Sequence, residues 1–533
     1  DITPNEYPTM LYPKLIDTTL PITGKLDYTA YNGSSLAWAY AYTTGDVNIN
    51  PLDSQHQGNI TQDYNKLYGT DFVDIRDVWV YKDTDTSKLS TNEAITKAYI
   101  ELTNDNYMTR VSEALTYYPN CTDVYLFEDG SVTSLQDMFN TNNTIYRNQI
   151  VNVTFMDGYF DLLTNLNNGF REMKALKRVN NIPNSVTSMS GCFLSAYELE
   201  YVSNLPSNLE TVNYIFANCN AMTSFPSFPN NGRIKNLNNP FQGCHALTTA
   251  PTIPQGVTSM VATFYDCPSL TTPPAIPNSV TNMQETFKDC SALTQAPTIP
   301  NGVDNMAGTF RGCTSLTTAP TISNSVTNMR YTFYDCKALT QAPTIPSNVT
   351  SLENTFYSCT SLTTAPAIPN SVTNMSATFY GCTSLTQAPA IPSSVTNMNQ
   401  TFHSCSSLIN GDVLHEGVVN TEYLYCNCSS LETAQYPLTK SDGGGGYAPF
   451  QGATGKIKEF TWLGERATDL SVLKLFDRLG NVDTNVKPKW IQDLVNEHLA
   501  TVESATLTLG ETYLSYLTEE EITTATNKGW TLE

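Results

Sequence analysis

From about residue 250 to residue 408 one 23-residue sequence is written seven times with small changes, and no other feature constrains the fold so tightly. One copy runs from Leu270 through Ile276-Pro277, Val280 and Met283 to Phe287 and Cys290, and the next opens at Leu293. Phenylalanine recurs at Phe264, Phe287, Phe310, Phe333, Phe356, Phe379 and Phe402, with a cysteine three residues after each. A fixed period of this length is the mark of a solenoid, in which each coil packs only on its neighbours. That escapes the size limit on a single core, so a chain of 533 residues need not divide into several ordinary domains.

About seven of the 23 slots are apolar: Leu, Ala, Ile, Val, Met, Phe and Cys. Burying each is worth roughly 1 to 3 kcal/mol, against roughly 1 to 2 kcal/mol for every backbone residue ordered. One coil cannot break even, so stacking is obligatory and both ends need covers. The Leu-x-x-x-Pro-x-Ile-Pro segment predicts an extended piece, short or irregular because proline brings no N–H to a ladder. Asn-Ser or Ser-Ser makes a corner. The Met and Phe four positions apart predict one turn of helix on the opposite side.

The phenylalanine column walks back from Phe264 to Phe241, Phe216, Phe193 and Phe170, and then by a longer step to Phe139, which places an insertion between residues 140 and 165. Forward of the regular copies, Tyr425 and Cys428 keep register, so about 13 coils end near Leu431. Ten of the 13 cysteines, Cys219 and Cys244 through Cys428, hold one slot of successive coils. One sulfur per coil lacks the clustered pairs of a metal site, and the column reads as small side chains stacked inward. Cys426 and Cys428 form the one close pair, at a spacing unusual for a site; Cys121 and Cys192 fall off the column.

Residues 1–120 show no repeat. An alternating run, Phe72 to Tyr81, predicts a strand. Thr91-Asn92-Glu93 opens an expected helix through Ile95, Ala98, Tyr99 and Leu102, and Asn106 is an expected cap for a second helix ending at Leu115. The module is expected to cover the first coil or to dock on a larger assembly. After Leu431, Ser441–Gly446 reads as a hinge. Ala467–Leu479 and Trp490–Leu499 read as helices, Ser504–Leu509 as a strand, and Thr518 with Glu521 as a capping box for a last helix stopping at Gly529. All five tryptophans lie in these flanks.

The phrase Val372-Thr373-Asn374-Met375 followed by Phe379, Cys382 and Leu385 resembles the BspA-like leucine-rich repeats of bacterial surface proteins and phage tail proteins, over about residues 121–431. The resemblance implies an α/β leucine-rich-repeat solenoid of about 13 coils of about 23 residues. It is expected here as irregular coils 121–250 and regular coils 251–431, with a mixed α/β N-terminal module at 1–120 and an α/β C-terminal cap at 432–533. It implies adhesion or recognition and carries over no catalytic residue.

The formal net charge is −22, yet residues 251–410 hold only six acidic and four basic side chains, so the acidity sits in the flanks. Such a chain repels phosphate backbones, which argues against nucleic acid as a partner. No run of 18 apolar residues spans a bilayer. The chain opens on Asp1 without a charged-then-apolar leader, which leaves the compartment open. No nucleophile elbow, zinc-binding, phosphate-loop or dinucleotide pattern is present, and the five histidines are scattered, so neither catalytic nor cofactor nor metal residues are expected. Asp266, Asp289 and Asp335 share a slot that Gly312, Ser358 and Gly381 interrupt, and they read as solvated surface.

The slot after each Phe reads Tyr265, Lys288, Arg311, Tyr334, Tyr357, Tyr380 and His403, an aromatic and basic ridge expected to face outward, either as a contact surface or packed sideways on itself. The strand side offers Thr272, Gln295, Thr318 and their like, suited at best to weak glycan contact. Near-identical coils lack the variety of a specific binding surface and suit a rigid spacer, which leaves specificity to the irregular coils or the flanks. Two functions fit. One is a phage virion or tail-associated protein, with 1–120 bound to other virion proteins and the solenoid meeting a host-surface protein or glycan. The other is a secreted or surface-exposed bacterial adhesin. Self-association is open in both.

Overall fold

A computed structural model describes residues 95–139, 146–411, 413–437 and 514–532, with short pieces at 37–38, 77–80, 459–463 and 504–507 and isolated residues elsewhere. The chain is a β-solenoid of about 13 turns, and its backbone falls into two compact units, Asp1–Arg233 and Ile234–Glu533.

In the first unit one sheet runs β1 (Ala37–Trp38), β2 (Asp77–Val80), β3 (Lys97–Leu102), β4 (Asp123–Glu128), β5 (Asn152–Phe155), β6 (Arg178–Asn180) and β7 (Tyr201–Val202) in that spatial order. Every pairing after β1–β2 is parallel and in sequence order, as a solenoid requires. The sheet thus runs through residue 121 without a break. The helix expected across Ile95–Leu102 is strand β3 instead. Its burial alternates residue by residue and hides Ala98, Ile100 and Leu102, a two-residue period set by the neighbouring strands rather than by local propensity. The second expected helix is short, α1 (Arg110–Leu115), and Asn106 does not cap it. The Asn106 Oδ1 accepts from the Thr103 N–H at 2.9 Å and closes the turn before the helix. Of the expected strand Phe72–Tyr81, Asp77–Val80 is a strand and the remainder lies outside the described residues.

In the second unit the proline-bearing segments reduce the strand column to single parallel bridges such as Gln295↔Thr318, Thr318↔Gln341 and Gln341↔Thr364. Full strands return after the last Ile-Pro segment, at Ile391-Pro392, in β8 (Asn410–Gly411), β9 (Thr433–Pro437) and β10 (Glu459–Leu463), paired parallel in that order. The capping box stands as expected: Thr518 Oγ1 accepts from the Glu521 N–H at 3.3 Å, the Glu521 carboxylate accepts from the Thr518 N–H at 2.7 Å, and helix α2 (Glu519–Asn527) follows. Strand β11 (Ala505–Leu507) pairs with β12 (Trp530–Leu532). The expected hinge at 441–446 and helix at 467–479 lie outside the described residues, as does most of Trp490–Leu499.

The expected helical turn between Met and Phe does not form, and this is the main correction to the coil. Two residues per coil take left-handed φ: Glu285 (53°) and Asp289 (60°) in one coil, Gly308 (62°) and Gly312 (74°) in the next. A left-handed residue every fourth position breaks an α-helix but aligns alternate peptides along the stacking direction. The N–H groups of Met283, Glu285, Phe287 and Asp289 all donate forward to the next coil, to the carbonyls of Asn305, Ala307, Thr309 and Arg311 at 2.6–2.9 Å. The intervening peptides close tight turns within the coil, such as Thr286 N–H to Met283 O at 3.1 Å. The coil is therefore strand bridge plus turns, and "α/β" describes it only loosely. The shared slot of Asp266, Asp289 and Asp335 follows from the same geometry. Its other occupants, Gly312, Ser358 and Gly381, also have positive φ, and Gly, Asp and Asn tolerate that region best.

Side chains complete the accounting of polar groups. The phenylalanine rings stack at 5.3–5.7 Å along each unit, from Phe170 to Phe216 and from Phe241 through Phe402 to Tyr425. Phe450 stacks in turn on Tyr425 at 5.5 Å, so the column continues past Leu431. A buried threonine precedes each regular Phe; Thr332 Oγ1 reaches Met306 O at 2.9 Å in the previous coil and Met329 O at 2.8 Å in its own. The cysteines face inward but are more than apolar filler: Cys336 Sγ donates to Phe310 O at 3.1 Å, and the same bond is made by Cys219 and by each column cysteine from Cys267 to Cys428. Burial pushes the thiols far from ionisation, Cys267 and Cys405 up to about 12. All 13 cysteines are free and buried, so the folded protein should leave a thiol reagent such as DTNB unconsumed at pH 8, and all should react in guanidinium; fast native labelling of column thiols would contradict the inward column.

Candidate interaction surface

The ridge slot stands between two left-handed residues, which turn the backbone so that this side chain projects sideways along the stack. Tyr265, Lys288, Arg311, Tyr334, Tyr357, Tyr380 and His403 are all half-buried, and the structure brings them together in two runs. The first is a pair, with the Lys288 ammonium 4.5 Å from the centre of the Tyr265 ring and tied to Glu285 at 3.3 Å. The second is continuous. The Arg311 guanidinium lies 4.8 Å from the Tyr334 ring, and Tyr334, Tyr357, Tyr380 and His403 follow as parallel rings 4.4, 4.4 and 4.3 Å apart. Among the described residues no ring or cation–π contact joins Lys288 to Arg311, as expected of two neighbouring cations.

The rings pack sideways on one another while each side chain stays half-buried. The ring faces are consumed by their neighbours, and the Tyr357 hydroxyl shares hydrogen bonds with Tyr334 and Tyr380. Burial is the main cause that pushes the Tyr357 hydroxyl up to about 12, with the flanking Tyr380 and Tyr334 adding to it, so this hydroxyl stays uncharged at pH 7. Burial also lowers His403 from its ordinary value of 6.5. Its ring is neutral at pH 7, and Nδ1 lies 2.8 Å from Ser404 Oγ.

Three tyrosines that the sequence reading did not single out belong to this geometry. Tyr331 and Tyr423 occupy a left-handed slot two residues before the column ring, with φ of 58° and 51°. Tyr331 sits 6.1 Å from Tyr334 and 5.8 Å from the Arg311 guanidinium, and Tyr423 meets His403 edge-on at 6.3 Å. Tyr214 holds the same slot in the first unit and is 43 % exposed, in company with exposed Tyr197 and Tyr201 of the irregular coils. Counting the slot two before each Phe would have found them. Past His403 the ridge slot is Cys426, and a cleft of about 580 Å³ opens there, lined by Tyr380, Gln400, His403, Tyr423, Cys426, Asn427 and Gly452. Among the described residues no group of three His, Cys, Asp or Glu side chains converges as a metal site would, and no helix is long and apolar enough to cross a membrane.

A family model described as "BspA type Leucine rich repeat region" matches residues 142–271, 213–340, 284–409 and 329–442, together more than half of the chain. No curated protein matches. Among solved structures, the chain is similar to a leucine-rich repeat protein from Bacteroides ovatus at 18 % identity and a TM-score of 0.43, covering 72 % of this chain and 88 % of that one. A leucine rich cell surface protein from Faecalibacterium prausnitzii matches at 19 % identity and a TM-score of 0.38, covering 73 % and 91 %. A leucine-rich repeat protein from Eubacterium ventriosum matches at 19 % identity and a TM-score of 0.35, covering 64 % and 93 %.

Proposed function

We propose, from the premise that the chain belongs to the BspA-type leucine-rich-repeat family, that it is a non-enzymatic recognition protein of an extracellular surface whose partner is met along the ladder from Arg311 to His403. The family's repeats serve protein interaction. The observation that carries the reading is a row of half-exposed planar side chains already stacked at 4.3–4.8 Å. Ordering tyrosine and arginine at an interface normally costs about 0.5–1.5 kcal/mol per side chain, and here the stack has met that cost before the partner arrives. Tyrosine and arginine are also the side chains that most often dominate binding energy.

The partner along the ridge is a protein rather than a glycan. A sugar ring needs an open aromatic face, and the faces of Tyr334, Tyr357 and Tyr380 are covered by one another. Edges and hydroxyls remain, which suit backbone and side-chain groups of a polypeptide. The carrier in this reading is a bacterial cell envelope. The virion or tail-borne version, in which residues 1–120 dock on a particle, needs those residues to bind particle proteins, and nothing among the described residues favours it.

The test is binding of the purified full chain to host-cell surfaces, untreated, protease-treated or periodate-treated. The Tyr334/Tyr357/Tyr380→Ala triple variant is expected to bind at least about tenfold more weakly, with protease and not periodate removing the wild-type signal. Equal binding by the folded triple variant, or loss only with periodate, overturns the reading.

A further inference from the structure

The two ends of the ladder are built from the same two kinds of slot. At the Arg311 end a ridge tyrosine, Tyr334, and a left-handed-slot tyrosine, Tyr331, incline at 41° to each other and hold a planar cation, with its carbon 4.8 and 5.8 Å from the two ring centres. At the other end a ridge ring, His403, and a left-handed-slot ring, Tyr423, incline at 66°. The ridge slot one coil further on is Cys426, 4 % exposed, and its side chain is too short to make another rung. The far side of His403 therefore opens on the cleft.

The lining of the cleft narrows its chemistry. Gly452 has φ of +72°, and a Cβ there would fall 2.2 Å from Asn427 Oδ1, so the floor stays low only because it is glycine. The uncharged amides of Gln400 and Asn427 line the cleft beside the two rings, and each has a carbonyl oxygen able to accept a hydrogen bond. Among the described residues no lysine or arginine lines the cleft, His403 is neutral, and the whole chain carries a formal charge of −22. Rings, amide oxygens and a surplus of negative charge together suit a flat, delocalised cation with N–H groups around its edge. A compact ammonium, more strongly hydrated and without a face, matches less well.

We propose that this cleft receives the guanidinium of an arginine on the partner protein, stacked on His403 and edged by Tyr423, as Arg311 is held by Tyr334 and Tyr331. This rests on the reading that the ridge meets a protein, and it adds the residue that the partner must present. Arginine would complete the ladder as its terminal rung and fix the register in which a partner lies along the ridge.

The experiment titrates the full chain with acetyl-Gly-Arg-Gly-amide, its lysine counterpart and methyl glucoside, followed by calorimetry and by NMR of the aromatic protons. The arginine peptide is expected to saturate, with the lysine peptide about fivefold or more weaker and the glucoside not saturating. Tyr423→Leu should weaken the arginine peptide about fivefold, while Tyr331→Leu, at the other end, should leave it unchanged. If Tyr423→Leu lowers the unfolding midpoint, Gln400→Leu is read in its place, with the same expectation. Equal affinity for the two peptides, saturation by the glucoside, or indifference to both cleft variants overturns the proposal. Cell binding of a Tyr334/Tyr357→Ala double variant, which leaves the cleft lining intact, is a separate readout, so the cleft assignment can fail while the ridge assignment stands.

Discussion

Phe333→Ala should destabilise the second unit by about 3–5 kcal/mol, the range for removing a fully buried phenyl ring. Phe333 is wholly buried and stacks on Phe310 and Phe356, 5.7 Å away on either side and nearly parallel to both. Neither neighbour can collapse into the space, because each is fixed by its own forward N–H bond: Phe310 N–H to Thr332 O and Phe356 N–H to Thr378 O, both 2.9 Å. The cavity should therefore persist, and the two aromatic contacts, roughly 0.5–1.5 kcal/mol each, are lost with it. Because a repeat array is held by nearest-neighbour interfaces, the damage falls on one junction and should split a single denaturation transition into two. Urea unfolding followed by circular dichroism measures it. Tyr357→Ala on the ridge is the internal control, expected below about 1 kcal/mol because that ring is already half in water. A Phe333→Ala loss under 1 kcal/mol would mean that the column does not carry the stack.

How far the sequence disclosed this architecture depends on which columns could be read from chemistry alone. The Phe, Met, Val and Leu columns were legible because burial selects for apolar character at one slot in each coil, and all of them are buried. The ridge slot was legible as a position, but its two runs were not: that Lys288 and Arg311 part the ridge while Tyr334 to His403 join it depends on ring spacing along the stack. The left-handed slots were hidden for a different reason. Asp289, Gly312, Ser358 and Gly381 have no chemistry in common, only a tolerance for positive φ, so their column looked like scattered surface. The same omission produced the mistaken helical turn, since Met at i and Phe at i+4 has helix spacing unless a left-handed residue stands between them. The misread β3 shows the converse. Lys97–Leu102 has fair helix-forming residues, and the flanking parallel strands β2 and β4 impose the extended form.

Removal of residues 311–333, one whole period, should leave a folded, cooperative protein, whereas removal of 311–330 should abolish cooperative unfolding of the regular coils. The first deletion joins Phe310 to Tyr334, so that the slot after a Phe is still filled by tyrosine and every later column keeps its phase. The stack loses one coil and gains no mismatch. The second, three residues shorter, puts Phe356 26 positions after Phe310 instead of 23, so the coils on either side of the join are out of phase while the later coils stay in phase with one another. At that junction four forward N–H bonds, a threonine bridge and a stacked ring fail together. At about 1 kcal/mol for each hydrogen bond and 3–5 kcal/mol for the ring, the loss is on the order of 10 kcal/mol, comparable with the whole stability of a typical domain. Near-ultraviolet circular dichroism of the tyrosine ladder and urea unfolding report the two outcomes. The ridge gives a second check: the whole-period deletion removes Arg311 and Phe333 but keeps Tyr334, Tyr357, Tyr380 and His403 in line, so cell binding should survive it in reduced form. If the 20-residue deletion unfolds as cooperatively as the 23-residue one, the coils are not locked in register by their columns, and the solenoid is held together by something other than the bonds described for it.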